Sequence, residues 1–274
     1  MEGTIFVFAG YKFPPSAQNY SSYLTTNFGS YAPLINQTYS LDRFNSTPYP
    51  AFYAMVEVFT DYSFKCPTQR ALLNANARSV PVWAYSWGQE PTCPWYSALG
   101  STHAQFLALL NATHTSELPF VFAATDNLPL PNGNCTLNAF EQGLSADVIA
   151  AWTSMAANGN PNAKAFSNWP AFTSNSSMGL IVGNGSVTTG ALDFTACELW
   201  DSINAGILAN TTSPAALSPA PLSPVPSPQA SSSPAPHSTN SSSHSGGGLV
   251  TKGSPSFGIL LFWSMLSVVF ASRL

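Results

Sequence analysis

The sequence predicts an α/β layered domain over residues 1–210. Three observations carry it: short apolar runs that read as buried strands, helical periods between them, and a change of composition past residue 210 that ends the globular part. Val80-Pro81-Val82-Trp83-Ala84-Tyr85-Ser86-Trp87 stops at Gly88 and reads as a buried strand, with Pro81 confined to its start or to an edge. Ser145 is read as an N-cap, because Val148, Ile149, Trp152 and Met155 follow at helical spacing and Asn158-Gly159-Asn160-Pro161 stops the period. Leu180-Ile181-Val182 is a second short strand. Phe194 to Leu208 is a last helix with Cys197, Trp200, Ile203 and Ile207 on one face.

From Thr211 to Ser256 proline, serine and alanine dominate, and such a segment buries too little surface to fold. It is expected to be an extended, glycosylated, partly polyproline-II stalk, with His237 and His244 as solvated residues rather than metal ligands. Phe257 to Phe270 is a 14-residue apolar tail, shorter than the about 20 residues of a membrane span. Ser245-Gly246-Gly247 followed by a polar spacer matches the layout of a glycosylphosphatidylinositol signal over residues 257–274, with Ser245 as the attachment residue and the membrane as a partner through that lipid. The alternative is an ordinary short C-terminal anchor. Met1-Glu2-Gly3 is not a signal peptide, so either the chain does not enter the secretory pathway or its true beginning is missing.

Apolar residues make up 45% of the chain, so burial is not limiting, but charged residues make up only 7%, against about 25% in ordinary soluble domains. Glycan is the expected source of the missing polarity. Asn-x-Ser/Thr sequons start at Asn19, Asn36, Asn45, Asn111, Asn134, Asn175, Asn184, Asn210 and Asn240. They point to the extracellular face of the plasma membrane or the cell wall. A net charge of −4 argues against nucleic acid as a partner. Four cysteines in such a chain suggest two disulfides, with three connectivities open.

The chemistry sits in two short stretches. Glu2 lies in Met1-Glu2-Gly3-Thr4-Ile5-Phe6, and His114 in His114-Thr115-Ser116-Glu117-Leu118-Pro119-Phe120-Val121-Phe122. The first resembles the acid loop of type-B carboxylesterases, the group that includes cholinesterases and fungal lipases; Met1 stands where that loop has Asp. The second resembles the family's His-x-x-Glu-x-x-Phe-Val-Phe stretch, whose histidine is the general base. Further blocks follow in the same order over residues 1–208: Cys66-Pro67, Gly159-Asn160-Pro161-Asn162, Trp169-Pro170-Ala171-Phe172 and Cys197-Glu198-Leu199-Trp200.

The resemblance implies the C-terminal portion of an α/β-hydrolase fold with an incomplete sheet, and a Ser-Glu-His mechanism on a carboxylic ester with no cofactor and no metal. His114 would be base and then acid, and Glu2 would hold its orientation. It also implies a Cys66–Cys197 disulfide, which leaves Cys93 for Cys135 across the loop carrying His114. No Gly-x-Ser-x-Gly elbow occurs in the sequence. Gly143-Leu144-Ser145 has Asp147 where the second glycine belongs. The nucleophile is therefore expected before Glu2, and the chain is expected to be inactive by itself. His103 is read as structural, Glu117 as a buried supporting carboxylate, and Phe120, Val121 and Phe122 as core. Trp87, Trp95 and Tyr96 are candidates for lining a gorge. The competing function is a catalytically silent, cholinesterase-like adhesion protein at the cell surface. Retention of both Glu2 and His114 favours the enzyme lineage, since adhesion needs neither.

Overall fold

Ala84 organises the small sheet. Its carbonyl accepts from Leu180 N at 3.0 Å and from the Trp169 indole at 2.9 Å, and it interrupts the expected Val80–Trp87 strand, giving β1 (Val82–Trp83) and β2 (Tyr85–Trp87). The computed structural model describes residues 2–93, 95, 109–124, 128–130, 133–212 and 270–271. Most of them fall in the unit Met1–Asn210 with Met265–Leu274. Of the expected stalk and tail only residues 211–212 and 270–271 are described; the rest, with Ser245, Asn240, His103, Tyr96, His237 and His244, lies outside the described residues.

Five helices precede the sheet: α1 (Thr4–Gly10), α2 (Ala17–Phe28), α3 (Ala32–Thr38), α4 (Pro50–Thr60) and α5 (Cys66–Ala77). A π-helical turn, Asp61–Lys65, joins α4 to α5. Next come α6 (Leu118–Val121), the hairpin β3 (Leu128–Leu130) and β4 (Gly133–Cys135), and α7 (Ala139–Asn158). The chain continues through β5 (Met178–Gly183), β6 (Ser186–Ala191), α8 (Cys197–Thr212) and β7 (Phe270–Ala271).

The main sheet runs β2-β5-β6. β2 is parallel to β5 with Ser86 opposite Ile181, and β5 returns antiparallel to β6 through Asn184-Gly185, where Gly185 takes φ 83°. β1 pairs antiparallel with β7. The result is helix-rich, with a small mixed sheet, as the α/β expectation requires.

Two large apolar clusters dominate the core among the described residues. One packs α1 to α4 against Cys197, Trp200 and Ile203 of α8; the other packs α7 against the sheet through Trp83, Phe120, Trp169 and Leu180. The first contains a buried polar chain. The Trp200 indole donates to the Tyr39 hydroxyl, which donates to Asp61 Oδ2, both at 2.8 Å, and Lys65 Nζ lies 2.7 Å from Asp61 Oδ1. Burial, reinforced by the Asp61 charge, raises the Tyr39 phenol above its ordinary pKa and keeps it a donor.

Two helix expectations need correction. α7 begins at Ala139, six residues before Ser145, because Asn138 and Glu141 form a reciprocal capping box. Ser145 is buried inside that helix and donates to the Phe120 carbonyl at 2.7 Å, so it caps nothing. α8 begins at Cys197 rather than Phe194, and its Ile207 is 42% exposed instead of joining the buried stripe. Gly159 ends α7 in the left-handed region, as the Asn-Gly-Asn-Pro stop predicts.

Candidate active site

Glu2 stands just ahead of α1, held by its neighbour. Gly3 N donates to Thr60 Oγ1 at 2.9 Å, and a Cβ at Gly3 would meet the Val56 carbonyl at 2.6 Å. Only glycine lets the start of α1 approach α4 so closely. His114 is carried by the loop 111–117, closed by Ser116 N to Thr113 O and Leu118 N to Thr115 O. Two residues of that loop, Asn111 (φ 47°) and Thr115 (φ 72°), sit in the left-handed region, which is strained for β-branched Thr115.

The two stretches, 112 residues apart, meet: His114 Nδ1 lies 2.8 Å from Glu2 Oε2. The imidazole is 12% exposed and the carboxylate 33%. Phe6 of α1 and Phe64 of the π-helical turn flank the imidazole at centroid distances of 5.6 and 4.9 Å. The two phenyl rings also lie 5.9 Å from each other, so the imidazole is held by a carboxylate at Nδ1 and packed on one side by a pair of adjoining rings. The Trp95 indole donates to Thr115 Oγ1 at 3.0 Å and ties down the residue that follows.

Glu117 is buried three residues after the imidazole, at 6% exposure. Burial pushes its carboxyl up to about 7; its own backbone N–H opposes the shift, the Glu2 charge adds to it and His114 reduces it. Thr113 and Ser116 are also buried, and their hydroxyls have no hydrogen-bond partner among the described residues.

A cavity of about 570 Å³ opens beside the imidazole. Ile5, Phe6 and Ala9 of α1 form one wall; Leu118 and Pro119 of α6 with Phe122 and Ala124 form another; Trp95, His114 and Thr115 complete the lining. Phe122 corrects the core expectation: it is 71% exposed at this cavity, whereas Phe120 is fully buried and Val121 partly so. Trp87 packs on Phe120 at 4.9 Å in the core and does not line the cavity, while Trp95 does. Among the described residues no cluster of histidine, cysteine, aspartate and glutamate has metal-site geometry.

The disulfides are Cys66–Cys197 and Cys93–Cys135. Sequence reasoning missed Glu141, which is fully buried and accepts from Thr92 N at 2.8 Å, from Gln89 Nε2 at 3.3 Å and from the Thr92 hydroxyl. It fastens the Cys93 segment to the start of α7, and the Asn138-x-x-Glu141 capping signature was the available signal. Of the sequon asparagines, Asn19, Asn36, Asn45, Asn175 and Asn184 are exposed and Asn111 is half-buried; the side chains of Asn134 and Asn210 lie outside the described residues.

The model of the carboxylesterase family matches residues 15–200. The chain belongs to the carboxylesterase family. His114 lies within the matched region and Glu2 ahead of it. The chain is similar to mouse "Carboxylesterase 3B", at 32% identity over 125 residues, covering 43% of this chain and 20% of that protein. It is also similar to human "Cocaine esterase", at 26% identity over 144 residues, covering 52% and 23%. The matched part thus spans about a fifth of the length of these curated relatives. Membership makes this an ester hydrolase-like protein, and its helix-rich architecture with an incomplete mixed sheet is a partial α/β-hydrolase fold.

Proposed function

We propose that this carboxylesterase-family chain is the C-terminal part of a carboxylic ester hydrolase in which His114 moves the proton and Glu2 orients it. The observation that carries the reading is the 2.8 Å contact between His114 Nδ1 and Glu2 Oε2. A carboxylate that accepts from Nδ1–H makes Nε2 the basic nitrogen. Nε2 then takes the proton of an attacking serine hydroxyl and returns it to the leaving alcohol, while Glu2 stabilises the imidazolium. The adjoining Phe6 and Phe64 rings packed on one side of the imidazole limit its swing between the two transfers. The serine belongs to polypeptide outside these 274 residues, since no nucleophile elbow occurs among them. The chain as written is inactive.

Extracellular residence, glycan on the sequons and a lipid anchor at Ser245 are part of this proposal. The two disulfides, the low charge and the exposed sequon asparagines support it. No helix among the described residues is long and apolar enough to cross a membrane.

The test is p-nitrophenyl acetate hydrolysis. The 274-residue chain should give background rates, and a longer transcript product with an upstream Gly-x-Ser-x-Gly should turn over and lose about 10³-fold or more in kcat on His114→Ala. His114-dependent turnover by the 274-residue chain alone would overturn the inactivity claim. Full activity of the His114→Ala longer product would overturn the assignment.

A further inference from the structure

One short segment serves both members of the Glu2–His114 pair. Thr60, the last residue of α4, accepts from Gly3 N at 2.9 Å and so fixes the residue beside Glu2. Phe64, further along the segment, packs on the imidazole at a centroid distance of 4.9 Å and on Phe6 at 5.9 Å. Both belong to or adjoin the π-helical turn Asp61–Lys65, where Cys66 N donates back across the wide turn to the Asp61 carbonyl. Residues three apart share a face of an α-helix, and the wider π turn spreads them. Asp61 enters the core while Phe64 turns to the imidazole.

Asp61 is the anchor of that turn. Its buried carboxylate accepts from the Tyr39 hydroxyl at 2.8 Å through Oδ2 and pairs with Lys65 Nζ at 2.7 Å through Oδ1. Tyr39 accepts in turn from the Trp200 indole at 2.8 Å, which ties the turn to the end of α3 and to α8. Replacing a buried ion pair by hydrocarbon of similar volume is often neutral or stabilising, so stability alone does not account for a carboxylate here. What a carboxylate supplies and hydrocarbon does not is direction: bonded partners on fixed sides hold the wide turn in one register.

We infer that Asp61, with Tyr39 and Lys65, is a positioning residue for the Glu2–His114 pair: it fixes the π-helical turn that presents Phe64 to the imidazole and, through Thr60, holds Gly3 beside Glu2. The inference rests on the ester hydrolase reading for what the imidazole does, and not for where it stands. The competing role is purely structural: the network fastens α8 to α3 and α4, and its loss costs stability without a particular effect on the imidazole.

Solvent exchange of the His114 Nδ1–H proton, read by NMR on the 274-residue chain, separates the two. The His114→Ala spectrum assigns that proton among the 4 imidazoles of the chain. Tyr39→Phe removes the hydroxyl between Trp200 and Asp61. Tyr20→Phe is the matched control, since it removes another buried hydroxyl of the same cluster, whose bond goes to the Tyr39 carbonyl at 2.7 Å and not to the turn. Both should lower the urea midpoint by similar amounts. Tyr39→Phe should speed the exchange roughly tenfold or more over the wild type, and Tyr20→Phe less than about threefold. Phe64→Leu, which leaves the buried network intact, should speed it as much as Tyr39→Phe. The triple variant Tyr39→Phe, Asp61→Leu, Lys65→Met replaces the turn's polar bonds by hydrocarbon without leaving a buried charge unpaired. It should fold and still exchange as fast as Tyr39→Phe. Equal exchange rates in Tyr39→Phe and Tyr20→Phe, or wild-type rates in Phe64→Leu or in the triple variant, overturn the inference. Ester hydrolysis that proceeds without His114 condemns the catalytic reading and leaves these exchange rates as they are.

Discussion

The indole of Trp95 donates to the hydroxyl of Thr115 at 3.0 Å, and Thr115 is the residue after the imidazole, held at φ 72°. A β-branched residue keeps such a backbone only when its surroundings enforce it, at a cost of about 1–3 kcal/mol. The indole is one of those enforcing groups, and it also forms a wall of the cavity. Loop strain, ring position and pocket shape are therefore coupled through one hydrogen bond.

A double-mutant cycle measures that coupling. Trp95→Phe removes the donor, and Thr115→Val removes the acceptor while keeping the β-branch and its strain. Each should destabilise by about 1 kcal/mol in urea unfolding, and the double mutant should cost about 1 kcal/mol less than the sum. Strict additivity would show that the bond contributes nothing.

The placement of Glu2 depends on the residue beside it. An added Cβ at Gly3 would lie 2.6 Å from the Val56 carbonyl and 3.0 Å from Phe59 Cβ, neither of which is a flexible side-chain end. Gly3→Ala should push the start of α1 away from α4, destabilise by about 1–3 kcal/mol, and lengthen the Glu2–His114 contact. The imidazole ¹⁵N shifts report this directly: the Nδ1–H signal should lose its carboxylate-bonded downfield position in Gly3→Ala and keep it in Thr60→Ser.

What could be read in advance followed from which constraints are local. That Glu2 and His114 would lie together was legible because the blocks flanking them repeat a family pattern. The strand at Leu180–Val182 was legible because it is a continuous apolar run, whereas β6 is not: its exposed Ser186, Thr188 and Thr189 carry no hydrophobic alternation, and only Asn184-Gly185 marked the hairpin. Phe120 and Phe122 looked alike in sequence. Two residues apart on a helical turn they point about 200° apart, so one enters the core and the other faces the cavity.

Ser145 failed as a cap because a stronger local device, the Asn138/Glu141 box, starts the helix earlier and leaves Ser145 buried with one task. Its hydroxyl binds the Phe120 carbonyl at 2.7 Å and so links α7 to the element that follows the imidazole loop. Ser145→Ala should cost about 1–2 kcal/mol in urea unfolding, through the unsatisfied carbonyl, whereas a surface cap would cost no more on removal and would spare α6. Hydrogen exchange separates the two: amides of 118–122 should exchange faster in the variant.

Glu117 makes stability depend on pH with a sign opposite to that of a paired carboxylate. Its folded pKa is about 7 against an ordinary 4.5, with burial as the main cause, so the folded chain holds a proton that the unfolded chain has released between those values. Below about 4.5 both states are protonated and nothing is lost. As pH rises through about 7 the folded state must ionise a buried group or lose its advantage, and stability should fall by about 3 kcal/mol across the window. The nearby Glu2 charge works in the same direction and the His114 charge against it. Glu117→Gln keeps the shape and removes the titration, so unfolding free energies at pH 5 and pH 8 should differ less in the variant than in the wild type by about that amount. A wild-type curve that rises with pH relative to Glu117→Gln would mean that the carboxyl is held ionised by a partner, and that burial does not govern its proton.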